Sequence, residues 1–142
     1  MKQTRMSGAD KLNILLVEDS ALTAEQLCEM IRARLPDVSC TIVSTETEAL
    51  AKIRDTHFDA AVLDVRLKVG SGFGVLRALS LLTPKPFLVV MTNYALPKYR
   101  SFSLLAGADY FLDKATNIGL LPDLLSQYFD SITATSSATS QS

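Results

Sequence analysis

The sequence predicts a single α/β domain, a doubly wound five-stranded parallel sheet with five helices. Three observations carry this. Five short aliphatic runs, LNILLV, CTIV, DAAVL, PFLVVM and YFL, alternate with amphipathic stretches of helical spacing along the chain. The runs read as strands apolar on both faces, which suits a sheet covered by helices above and below. The 142 residues match one such domain and leave none for a second.

LNILLV leads into a first helix with Ser20 as N-cap, carrying Leu27, Met30, Ile31 and Arg34 at helical spacing and ending before Pro36. After CTIV, Thr45 and Glu48 form the pattern of a capping box, so the second helix starts there and buries Ala49, Leu50 and Ile53. DAAVL is followed by a glycine loop and a third helix over residues 72–82, with Phe73, Leu76 and Leu79 inward. Beyond PFLVVM, Pro97 suits the first turn of a fourth helix that runs through Leu105 and is ended by Gly107. A fifth helix over residues 118–132 tolerates Pro122 only in its opening turn. Residues 1–11 are expected to be a flexible leader, 12–131 the domain, and 132–142, rich in Ser, Thr and Ala, a disordered tail.

Hydrophobic residues at 48% and charged ones at 20% are those of an ordinary globule. A net charge of -1 and a pI near 5.8 give no electrostatic footprint for nucleic acid, so no direct nucleic-acid partner is expected. The N-terminal stretch lacks the apolar segment of a signal peptide and no run approaches a membrane span, so the expected location is cytoplasmic, with no membrane partner. Cys28 and Cys40 have neither metal-site spacing nor disulfide density and read as small buried thiols. His57, the one histidine, reads as solvent-facing and without a partner.

In open parallel sheets, ligands bind beyond the carboxyl ends of the strands. There the first strand delivers Glu18 and Asp19, the third Asp64, the fourth Thr92 and Asn93, and the fifth Lys114. Three carboxylates brought together raise one another's pKa, and a divalent cation relieves that repulsion. Hard oxygen ligands fit Mg²⁺. A carboxylate can attack phosphorus, which makes Asp64 a candidate nucleophile, with the metal and Lys114 neutralising charge and Thr92 donating a hydrogen bond. Phosphoryl transfer onto Asp64 is the reaction type that uses all these parts. Taken singly, each has a plain structural reading as a cap-proximal charge, a surface lysine or a turn residue. The loop GSGFG, residues 70–74, is not a dinucleotide fingerprint, because its third glycine comes one residue early and Val75 stands where Gly or Ala is required. An aspartyl phosphatase would need an acid where Arg66 stands.

As a set, these positions resemble the receiver domains of two-component response regulators over about residues 12–131. The resemblance implies a flavodoxin-like sheet of order 2-1-3-4-5, with Glu18 and Asp19 as the acid pair, Asp64 as phosphoacceptor, Thr92 as switch hydroxyl, Phe111 as switch aromatic and Lys114 as the family's lysine. Gly72 and Gly107-Ala108-Asp109 also fall at the family's places. It further implies Mg²⁺, or Mn²⁺ in its place, held by Asp19, Asp64 and the backbone carbonyl of Arg66, with Glu18 acting through a metal-bound water. The implied donor is a phosphohistidine on a sensor histidine kinase or a histidine phosphotransfer protein. The product would be a signalling switch that catalyses its own phosphorylation and dephosphorylation. In it Thr92 moves toward the phosphoryl group, Phe111 rotates inward, and the face of the fourth helix, fifth strand and fifth helix changes for a downstream protein or a homodimer.

The departures from that pattern are specific. Lys68 stands where most members have proline after the acceptor loop, and Ala115 replaces the proline after the lysine. Asn93 replaces a very small residue, while Arg66 and Tyr94 occupy the variable places that the family uses to tune dephosphorylation. An altered phosphoryl lifetime is expected. Two other readings stay open: a phosphate-independent pseudo-receiver serving as an interaction module, and a flavodoxin-like cofactor binder, which the three acids oppose. Lys98, Tyr99, Arg100 and Phe102 on the fourth helix offer a contact surface.

Overall fold

The computed structural model describes residues 12–141, with side chains described through residue 132. Strands β1 (Leu12–Val17), β2 (Val38–Val43), β3 (Ala60–Leu63), β4 (Phe87–Thr92) and β5 (Tyr110–Asp113) form one all-parallel sheet of order β2-β1-β3-β4-β5. The helices between and after them are α1 (Ala21–Arg34), α2 (Glu46–Asp55), α3 (Gly72–Ser80), α4 (Pro97–Leu105) and α5 (Leu121–Gln141).

Period-two alternation along the strands sorts the core into two layers. Ile14, Leu16, Ala60, Val62, Val89 and Met91 face one way and pack with Leu27 and Ile31 of α1 and with Leu121, Leu125 and Phe129 of α5. Leu15, Val17, Ala61, Leu63, Leu88 and Val90 face the other way, onto Ala49 of α2 and Val75, Leu76 and Leu79 of α3. The central strands are therefore apolar on both sides, and their polar residues can appear only at the strand ends.

Local chemistry sets the helix starts. Ser20 Oγ accepts from the Thr23 N–H (3.3 Å), and Ser71 Oγ accepts from the Phe73 N–H (3.1 Å). Thr45 caps α2 by accepting from the Glu48 N–H (3.1 Å), and the Glu48 carboxylate reaches back as in a capping box, its closest backbone donor being the N–H of Ser44, one residue before the cap (2.9 Å). These bonds from Ser44 hold the exposed Glu48 carboxyl below its ordinary pKa. Pro97 opens α4, whose N-cap residue Leu96 offers no side-chain bond. A 3₁₀ turn (Ile118–Leu120) precedes α5 and leaves Pro122 in the opening turn. The α5 backbone stays helical through Gln141, so the stretch expected to be a disordered tail instead continues the helix. That stretch contains neither Gly nor Pro to break it, and its alanines favour helix. The leader expected over residues 1–11 lies outside the described residues.

Cys28 is buried, Cys40 is half-buried, and both are free thiols. Burial, and then the neighbouring Cys28, push the Cys40 thiol up to about 12, as suits an inert packing group. His57 is exposed as expected, but it does have a partner: its Nε2 lies 3.7 Å from Asp59 Oδ1. Among the described residues no helix is long and apolar enough to cross a membrane. Ser103, on the inner face of α4, is fully buried, and its Oγ is the one buried side-chain polar atom among the described residues that lacks a hydrogen-bond partner.

Candidate functional site

β1, β3 and β4 are adjacent and in register, so their carboxyl ends open onto one cleft. Glu18 and Asp19 follow β1 and Asp64 follows β3. Thr92 ends β4, opposite Asp113 of β5, and the Lys114 N–H donates to the Thr92 carbonyl (2.9 Å). Of the six polar residues that sequence places at strand ends, these five thus reach the same edge of the sheet.

Lys114 is the hub. Its Nζ donates to Asp64 Oδ2 (2.8 Å) and to Glu18 Oε1, and the three side chains are only 8%, 9% and 5% exposed respectively. Burial alone would depress the lysine's pKa, but hydrogen bonds and charge from Asp64 and Glu18 outweigh it and hold the pKa above the ordinary value. Lys114 is therefore a fixed cation beside the Asp64 carboxylate.

The acid pair at the end of β1 divides. Glu18 turns inward, with Oε1 on Lys114 and Oε2 accepting from the Ser20 N–H (3.0 Å). Asp19 turns toward the β3–α3 loop, where its Oδ2 accepts from the Lys68 N–H at 2.6 Å. The expected ligand set is accordingly not gathered into a ready cage. Among the described residues no group of three or more His, Cys, Asp or Glu side chains is placed to hold a metal ion. Each carboxylate has instead taken a proton donor of the protein itself. The donor chemistry still suits a divalent cation, because three carboxylates against one ammonium leave two negative charges on hard oxygens at one cleft.

Two residues expected to tune the site act as a pair. The Arg66 N–H donates to Asp64 Oδ1 (3.0 Å), and the Tyr94 N–H donates to Thr92 Oγ1 (3.1 Å). Each thus holds, through its backbone, the side chain two residues before it. Their own side chains meet outside, where the Arg66 guanidinium lies 4.0 Å from the centroid of the Tyr94 ring. Asn93 is exposed beside them. Thr92 is fully buried, and Phe111, at 8% exposure, already lies inward in the core under α3 and α4. Phenylalanine has no hydroxyl to keep hydrated, so nothing opposes that burial.

Sequence reasoning missed Glu46, which braces the loop. Its Oε1 accepts from the Ser71 N–H (2.9 Å), and a Cβ at Gly74 would come within 2.1 Å of its Oε2. A Cβ at Gly72 would lie 2.0 Å from the Asp64 carbonyl oxygen. GSGFG is glycine-rich because the Glu46 carboxylate and the Asp64 backbone press against it, and the glycines were the signal that something passes close by. Ala115 likewise uses the N–H that a proline would lack, donating to Asp113 Oδ1 (2.9 Å).

A family model for the response regulator receiver domain matches residues 14–126. Among curated proteins, the sensory transduction protein LytT of Enterococcus faecalis is 29% identical over 101 residues, which are 71% of this chain and 41% of that one. The chain spans well under half the length of the curated relatives it matches. A CheY-like receiver domain protein from Methanospirillum hungatei is similar in structure, with a TM-score of 0.77 and 27% identity, covering 86% of this chain and 96% of that one. The receiver domain of the sensor histidine kinase PA1611 from Pseudomonas aeruginosa, solved with a magnesium ion coordinated in its active-site cleft, aligns with a TM-score of 0.71 and 25% identity, covering 83% and 97%.

Proposed function

The chain belongs to the response regulator receiver domain family, and from that membership we propose that it is a phosphoacceptor switch in which Asp64 takes a phosphoryl group from a phosphohistidine. The observation that carries the reading is the acceptor's environment: Asp64 Oδ2 sits 2.8 Å from a buried lysine ammonium, at a cleft edge shared with Glu18 and Asp19. In the transfer, a carboxylate oxygen of Asp64 forms the new P–O bond while the P–N bond to the donor imidazole breaks, and the imidazole leaves with the electron pair and is protonated. Lys114 is placed to move with the charge from the carboxylate to the phosphoryl oxygens. Thr92, now an acceptor for the Tyr94 N–H, would donate its hydroxyl proton to a phosphoryl oxygen. Mg²⁺, or Mn²⁺ in its place, would be held by Asp19, Asp64 and the Arg66 carbonyl with Glu18 behind them, and supplies neutralisation of the transferred charge.

The donor is a sensor histidine kinase or a histidine phosphotransfer protein in the cytoplasm, and the output is a protein contact, with no nucleic acid or membrane bound directly. A contact on the α4–β5–α5 face has Tyr110, 44% exposed, in its support, while the exposed Leu105 and Phe102 of α4 line the groove toward α3 and offer a second apolar surface beside it. A downstream protein or a second copy would cover them. The protein is a switch acting on itself, not an enzyme for other substrates.

The test is labelling by a small phosphodonor such as acetyl phosphate in the presence of Mg²⁺. One phosphoryl group should appear on the wild-type protein and none on Asp64→Asn. Failure of the wild-type protein to label under any divalent cation would leave the pseudo-receiver reading, in which the same fold serves contacts alone.

A further inference from the structure

The bond between the Lys68 N–H and Asp19 Oδ2, 2.6 Å long, joins two loops 49 residues apart and exists only because residue 68 is not a proline. The donor's loop is tied at several points. Arg66 and Ser71 form an antiparallel bridge, the Gly72 N–H donates to the Val65 carbonyl (3.1 Å), and Ser71 is held by Glu46 from α2. Asp64 fixes the loop's other end by accepting from the Arg66 N–H. Lys68 sits at the tip of this braced loop, exposed to solvent, so its N–H cannot follow if the carboxylate turns away. Asp19 is a half-buried side chain at the start of the β1–α1 turn, outside those braces.

We propose that the Lys68 N–H is a latch on Asp19: it keeps Oδ2 turned toward the loop and within the protein's own hydrogen bonds, and a divalent cation entering the cleft must displace it before Oδ2 can serve as a ligand. This rests on the cation reading above and deepens it, since the latch sets how tightly that cation binds. Only the unlatched fraction is competent, so the apparent affinity is weakened by that fraction. A hydrogen bond to a charged carboxylate at a partly exposed site corresponds to roughly a tenfold effect. Lys68 is thus a positioning residue that works through its backbone and not through its ammonium.

Calorimetric titration with Mg²⁺ alone separates these roles in the full chain. Lys68→Ala keeps the N–H and loses the charge, and should bind within about twofold of wild type, whereas Lys68→Pro loses the donor and should bind roughly tenfold more tightly than Lys68→Ala. Equal affinity in the alanine and proline variants overturns the latch and leaves the cation reading standing. No binding in any of the three proteins overturns both. Should the proline variant fail to fold, amide exchange in the wild-type protein decides. The Lys68 amide should be protected without Mg²⁺ and lose protection as Mg²⁺ saturates, and an amide that is unprotected or unaffected overturns the latch.

Discussion

Replacing Lys114 by methionine isolates the charge at the centre of the site. Methionine keeps the length and apolar stem of the lysine but leaves Glu18 and Asp64 facing each other in a pocket where the three side chains are each less than a tenth exposed. The Ser20 and Arg66 N–H groups remain to them and no cation does. Removing one partner from a buried ion pair destabilises by about 3–5 kcal/mol. The cleft mouth is close, so the lower end applies. At roughly 3–4 °C per kcal/mol for a chain of this size, Tm should fall by about 10 °C in Mg²⁺-free buffer at neutral pH. The deficit should shrink in alkali, where the wild-type protein loses its advantage. The pKa of Lys114 is raised above 10.5 because Asp64 and Glu18 outweigh the opposing effect of burial, so its contribution is complete below 10.5 and disappears as pH rises through the folded value. Circular-dichroism melts of both proteins from pH 4 to pH 12 measure this. Equal or higher Tm for Lys114→Met at neutral pH, or a deficit independent of pH, would refute the account.

The acid pair should separate in two assays: Asp19→Asn weakens Mg²⁺ binding and phosphorylation more than Glu18→Gln, whereas Glu18→Gln, which breaks the buried contact with Lys114, lowers Tm more. The reverse order in the titration means the two roles are interchanged. Arg66→Ala and Tyr94→Ala should each shorten the phosphoryl lifetime about two- to fivefold, the range of an exposed cation–π contact, and the double variant should add little because the two side chains share one contact. Decay indistinguishable from wild type in all three would remove the pair from the tuning role. Gly72→Ala forces a methyl group against the Asp64 carbonyl and should destabilise by at least about 2 kcal/mol in urea unfolding while slowing phosphodonor labelling. Unchanged stability and labelling would show that the loop yields freely.

The aliphatic runs made the strands readable because a strand buried on both faces has to be apolar throughout, and the residues just past each run marked the cleft. Strand order is a different kind of information. Alternation alone cannot say that β1 lies between β2 and β3, which is why that order rested on resemblance. Bonds made by the backbone left no trace in side-chain identity: nothing in the letters for Lys68 or Ala115 says what their N–H groups hold. Glu46 was invisible as a brace because its partners lie 24 to 28 residues away, on a loop brought near by the crossover from β2 to β3. The tail was misread because a Ser/Thr/Ala tract lacks an apolar period, yet it also lacks a residue that would break the helix before it.

Ser103 bears on which part of the molecule opens first. α4 begins without a side-chain cap, and its one fully buried side chain is a serine whose hydroxyl is unsatisfied, while Leu104 and Leu105 are exposed and Tyr99 and Phe102 keep only ring contacts with Phe73 of α3. A helix so held surrenders little apolar burial when it detaches, and its amides should exchange through sub-global opening well before those of α1 or α3. Ser103→Ala removes a stranded polar group and should slow that exchange, tightening the helix without touching the cleft around Asp64.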